Sequence, residues 1–121
     1  MDKQSIKLVS ERDEQIKLFQ WIKRNPKIKP FALYIPNDGK RSPQLGAIYK
    51  RMGLRPGTSD IFIAIPNKTH HGLWIELKWG KNKATPAQLQ FIEDMRSQGY
   101  GAHVIWGADD AIQLIKDYLL S

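Results

Sequence analysis

The sequence predicts an α/β domain of the α+β kind, with a mixed sheet flanked by helices. Three observations lead there. Two β-rich runs, residues 60–65 and 73–79, are separated only by the turn-forming stretch PNKTHHG, short enough for an antiparallel hairpin. A helical repeat capped by Thr85-Pro86 and closed by Gly99 then leads into another β-run, AHVIW at 102–106. Amphipathic segments near both ends of the chain supply further helices to cover the sheet.

Taken in order, residues 11–24 read as a helix: Ile16, Leu18, Phe19, Trp21 and Ile22 recur at helical spacing after Ser10-Glu11, and Asn25-Pro26 stops them. FALYI at 31–35 is β-prone and is closed by the turn residues Pro36-Asn37-Asp38-Gly39. Residues 43–52 suit a short helix opened by Ser42-Pro43, with Gly53 and Pro56-Gly57 breaking the chain behind it. The hairpin follows. The next helix carries Leu89, Ile92 and Met95 on one side, and residues 108–120 close the chain as an amphipathic helix whose Asp109 and Asp110 suit its N-terminus. The order is α-β-(α)-β-β-α-β-α. With 121 residues and no repeat, low-complexity tract or linker, one domain spanning 1–121 is expected.

Composition narrows the function. Nineteen Lys and Arg against twelve Asp and Glu give a net charge of +7, which favours a polyanionic partner, nucleic acid first. The excess gathers in KRNPKIK at 23–29, KRSPQLGAIYKRMGLR at 40–55 and KWGKNK at 78–83. A merely solubilising surface is the bland alternative. The absence of cysteine excludes disulfides, thiolate catalysis and Cys-based zinc sites, so any metal must sit on oxygen or imidazole. No apolar run approaches a membrane span, and the first residues lack a secretory signal's apolar stretch, so a cytoplasmic setting is expected.

The hairpin carries charges that its apolar surroundings do not explain. Alternation places Trp74, Glu76 and Lys78 on one face of their strand and Leu73, Ile75, Leu77 and Trp79 on the other. A hairpin symmetric about Lys68 sets Asp60 directly across from Glu76, with Cβ atoms roughly 5 Å apart. Two facing carboxylates repel unless a cation lies between them, and oxygen ligands suit Mg²⁺ or Mn²⁺. Such a metal lowers the pKa of a water and acts as a Lewis acid on a phosphoryl oxygen. Lys78 would stand near enough to orient the attacking water or steady charge. The chemistry implied is phosphodiester hydrolysis; the alternative is a structural ion pair beside an aspartate that merely opens a strand.

These residues carry a resemblance. GTSD at 57–60, Glu76-Leu77-Lys78 sixteen positions after its aspartate, and Thr85-Pro86-Ala87-Gln88 resemble the PD-(D/E)XK nuclease signature. More narrowly, with Pro36-Asn37, Arg41, Gly53 and the IELK and TPAQLQ stretches, residues 11–107 resemble the VRR-NUC (virus-type replication-repair nuclease) family in its small stand-alone form. The resemblance implies an αβββαβ core with a C-terminal helix, and Asp60 and Glu76 as ligands of Mg²⁺ or Mn²⁺ with the Leu77 carbonyl as a further ligand. It also implies Lys78 handling the nucleophilic water and Gln88 in support. The N-terminal helix supplies one more acid in such folds. Glu11 with Gln15 matches the family's Glu-x-x-x-Gln pattern, and Glu14 is the alternative. Ser59 stands where the motif's name has proline.

The activity implied is that of a metal-dependent DNA endonuclease of replication, recombination or repair, in a bacterial or phage-infected cell. Asn37, Arg41, Lys50, Arg51, Arg55, Lys81 and Lys83 are the expected DNA-binding residues, gripping phosphates with little sequence preference. So small a domain covers little duplex, and a homodimer with two active sites would suit branched substrates such as four-way junctions. A non-catalytic nucleic-acid-binding module on the same fold is the rival reading. His70-His71 reads as a surface hairpin tip, because adjacent extended residues point apart. His103 reads as structural, Trp21 and Trp106 as core, and Trp79 and Tyr49 either as base-stacking residues or as cover for lysine stems.

Overall fold

The computed structural model of the chain describes residues 10–36 and 42–121. Helix α1 (Glu11–Lys23) begins where the Ser10 amide donates to Asp13 Oδ2 at 3.0 Å, and its first turn collects Glu11, Asp13 and Glu14, a charge pattern that suits a helix N-terminus. A 3₁₀ turn at Lys29–Phe31, opened by Pro30, leads into β1 (Ala32–Tyr34). After α2 (Pro43–Arg51) come β2 (Ile61–Ile63) and β3 (Leu73–Lys78), then α3 (Pro86–Ser97), β4 (Gly101–Trp106) and α4 (Ala108–Leu120). The expected element order holds among the described residues, with shorter strands.

The sheet runs β1-β2-β3-β4, antiparallel at the first two pairings and parallel at the third. The β2–β3 register pairs Ile61 with Ile75, Phe62 with Trp74 and Ile63 with Leu73. These pairs centre on Lys68, and continuing them by one residue brings Asp60 opposite Glu76, as alternation and turn length required. The turn between them is held by Asn67 Oδ1, which accepts from the Thr69 and His70 amides at 2.9 and 2.7 Å, and Asn67 Nδ2 donates to the Tyr118 carbonyl of α4 at 3.0 Å.

Ile61, Ile63, Leu73, Ile75 and Leu77 form one face of the sheet and pack with Leu18 and Ile22 of α1 and Ala111, Ile115 and Tyr118 of α4. That burial accounts for most of the drive to fold, at roughly 25 cal/mol per Å² of apolar surface. On the other face Trp74 meets Phe62 and, edge-on, Phe91 of α3, with ring centroids 4.4 and 5.0 Å apart.

Burial departs from what spacing alone suggests at several places. In α3 the buried residues are Gln88, Phe91 and Ile92, while Leu89 is exposed; the helix is rolled so that Phe91, rather than Leu89, reaches the Trp74 face. Ile16 is exposed, and Trp106 is 45% exposed rather than core, because it stands at the very end of β4. Strand β1 lies at a sheet edge, leaving Leu33 and Tyr34 exposed. None of the residues of α2 is buried. Among the described residues no helix is long and apolar enough to cross a membrane.

Candidate active site

The start of β2, the end of β3 and the start of α1 meet at one rim of the sheet, at the end of its two central strands. Here the carboxylates of Glu11, Asp60 and Glu76 each bring an oxygen within 4.8 Å of the others. Asp60 and Glu76 are buried. Asp60 Oδ2 accepts the Leu77 amide at 3.1 Å, which anchors the carboxylate to the neighbouring strand. Since the N–H and C=O of one strand residue point to the same side, the Leu77 carbonyl faces this rim too, while its side chain lies wholly in the core.

Lys78, two residues beyond Glu76 on the same face, is also buried, and its Nζ stands 3.6 Å from Glu76 Oε2. That distance is an ion pair rather than a short hydrogen bond. Carboxylates gathered at a largely buried site are costly unless they are paired or bound to a cation. A hard divalent cation fits the donor set, since it takes oxygen ligands at a little over 2 Å.

The two candidate acids of α1 separate clearly. Glu11 joins the cluster, whereas Glu14 Oε1 accepts the Ala108 amide at 3.2 Å and so satisfies an N–H at the start of α4. Lys17, three residues on, reinforces the same joint through Asp109 at 3.0 Å, and this contact holds its ammonium pKa above the usual lysine range. Gln88 is buried at the start of α3 in a capping box: its amide donates to Thr85 Oγ1 at 3.2 Å and its Oε1 accepts the Thr85 amide at 2.9 Å. Ser59 is fully buried, and its Oγ has no hydrogen-bond partner among the described residues.

The basic residues divide. Lys50 and Arg51, in the last turn of α2, and Lys81 and Lys83, after β3, are exposed. Arg55, another of the expected phosphate contacts, bonds Asp94 at 2.6 Å and lies 5.1 Å over the Phe91 ring. Hydrogen bonds from Arg55 and Gln90 hold the Asp94 carboxyl below its usual pKa. Asn37 and Arg41 fall outside the described residues. His70 Nδ1 lies 2.8 Å from Thr69 Oγ1 at the exposed turn. His103 is half-buried, and burial, with Arg96 and His70 nearby, lowers its pKa.

Neither a family model nor any curated protein matches the sequence. Among solved structures, one described as a VRR_NUC domain protein superposes with a TM-score of 0.83 at 32% identity, over 93% of this chain and 89% of its own. The chain belongs to the VRR-NUC family. Among the described residues, four helices around a four-stranded mixed sheet match the PD-(D/E)XK-like fold expected of a VRR-NUC domain. Membership implies a nuclease-type domain. In this VRR-NUC chain the carboxylate cluster lies where the two charged ends of the hairpin converge. What periodicity missed is Trp106, whose place beside Lys78 in the β3–β4 register was hidden in an apolar-looking run.

Proposed function

We propose that the chain is an endonuclease, dependent on Mg²⁺ or Mn²⁺, that hydrolyses phosphodiester bonds in DNA and selects its substrate by structure rather than sequence. The observation that carries this reading is the convergence of Glu11, Asp60 and Glu76 beside Lys78 on a chain of net charge +7. Three carboxylates whose oxygens lie within 4.8 Å of one another are the donor set that a hard divalent cation takes.

Glu11, Asp60 and Glu76 would hold the metal, with the Leu77 carbonyl facing the same rim. A bound divalent ion supplies Lewis acidity at a phosphoryl oxygen and lowers the pKa of a water. The chain's own residues do the positioning. An ammonium has three donors and no acceptor, so Lys78 orients the oxygen of the attacking water and steadies negative charge as it develops on the phosphoryl group. The bond from Leu77 N–H keeps Asp60 from turning away. Gln88 acts one step back, by fixing the start of α3 against the segment that carries Asp60. Lys50, Arg51, Lys81 and Lys83 grip phosphates, a contact that carries little sequence information.

Cleavage of matched linear, single-stranded, flapped and four-way-junction DNA, with Mg²⁺ or Mn²⁺, tests the reading. Wild-type protein should cut only with metal, and Glu76→Ala and Lys78→Ala should lose cutting while retaining DNA binding. A wild-type protein that binds DNA but neither takes up divalent metal nor cuts would instead be a non-catalytic binding module.

A further inference from the structure

The end of β4 carries an aromatic ring that the proposed reaction leaves unused. Trp106 pairs with Lys78 across the parallel β3–β4 ladder, so the two side chains rise on the same face from strands about 4.8 Å apart. The indole is 45% exposed, yet it is not loose. Its single polar atom, Nε1, donates to the Asn82 carbonyl at 2.7 Å. The hydrogen-bonding capacity is therefore spent on the protein itself, and what the indole offers to solvent is hydrocarbon ring. The loop that holds it places Lys81 and Lys83, both exposed, on either side of Asn82.

A half-exposed ring on the strand beside Lys78, bonded to a loop that carries two exposed lysines, has a specific use. We propose that Trp106 is a base-stacking platform that receives an unpaired nucleobase of the strand being cut, while Lys81 and Lys83 hold the flanking phosphates. This rests on the nuclease reading and adds a substrate class to it: nucleic acid with single-stranded character at the cut. Bases within a continuous duplex are covered above and below by their neighbours, whereas an unpaired nucleotide shows its face and gains by stacking on a ring. Holding the ring in place beforehand lowers the ordering cost of binding. An apolar protein partner is the poorer fit, because a single ring between lysines makes no contiguous apolar patch.

The test reads binding with metal removed by chelator, so that no cleavage intervenes. Wild-type, Trp106→Ala and Trp106→Phe proteins are titrated with a single-stranded oligonucleotide carrying 2-aminopurine and with a continuous duplex of the same sequence. Stacking should quench the probe on wild-type protein. Trp106→Ala should abolish the quench and weaken single-strand binding about tenfold more than duplex binding, the order expected for one base stacked on an aromatic ring. Trp106→Phe, which keeps a ring but loses the bond to Asn82, should stay within about threefold of wild type.

An unquenched probe, or an equal loss on both nucleic acids, would overturn the platform. So would a phenylalanine variant as impaired as the alanine one, since that would trace the effect to the bond with Asn82. A protein that stacks the base but cuts nothing would refute the nuclease reading alone, and one that cuts without stacking would refute only this inference.

Discussion

Gly57 joins the fold to the site, and its replacement gives the sharpest quantitative test. Its φ is +84°, and a Cβ built there would stand 2.5 Å from the Ala87 carbonyl oxygen and 2.8 Å from the Gln88 nitrogen. Both atoms are backbone at the first turn of α3, so no side chain can swing aside. Gly57→Ala therefore incurs two penalties: roughly 1–2 kcal/mol for a left-handed alanine, and about 1–3 kcal/mol for forcing packed backbone apart. A total near 3 kcal/mol is expected.

Gly80 is the matched control, since its φ is +64° but an added Cβ would meet nothing within 4 Å. Gly80→Ala should cost only the conformational part, about 1 kcal/mol. In a domain of this size each kcal/mol moves the melting midpoint by roughly 3–5 °C. Thermal unfolding followed by circular dichroism should thus place Gly57→Ala about 6–10 °C below Gly80→Ala. Midpoints within about 2 °C of each other would refute the argument that the close approach of α3, rather than the backbone angle alone, demands glycine. Because the same approach fixes the segment leading to Asp60, Gly57→Ala should also lower metal-dependent cleavage.

Three further outcomes are expected. Glu11→Ala should abolish divalent-metal binding measured by calorimetry, whereas Glu14→Ala should keep metal binding and lose about 1 kcal/mol of stability in urea unfolding with the loss of its bond to the Ala108 amide; the reverse pattern would exchange the two roles. His103 should make stability depend on pH. Its folded pKa lies below its unfolded value of about 6.5, so its contribution is complete above that pH and is lost as pH falls through the folded value. His103→Gln should flatten urea midpoints measured between about pH 5 and 7, and an unchanged slope would clear this histidine. Finally, plotting log binding constant against log salt should give a steep line whose slope falls by about 1 for each of Lys50→Ala and Arg51→Ala; unchanged slopes would remove α2 from the DNA contact.

Much of the site was legible because its geometry is local. The period-2 alternation that puts Glu76 and Lys78 on one face, and the turn length that sets Asp60 across from Glu76, follow from covalent geometry and cross-strand pairing within about twenty residues of chain. Thr85-Pro86 starting α3 and Gly99 ending it are likewise short-range signals. Each survives in the folded chain because the apolar pattern of the hairpin permits only one register: a one-residue slip would turn Ile61, Ile75 and Leu77 out of the core.

Only the tertiary structure decided what depends on how a finished element is rolled or where it lies in the sheet. Glu11 and Glu14 share the first turn of α1, and periodicity cannot say which one faces β2 and which one meets the start of α4. The packing of Leu18 and Ile22 against the sheet and α4 sets that roll. The same freedom put Phe91 rather than Leu89 inside, and strand order left Tyr34 at an edge. Trp106 looked like core in an apolar run, but the parallel pairing of β4 with β3 carries it past the helical cover to a place beside Lys78. Sequence patterns specify which faces an element possesses; long-range burial selects where each face is turned.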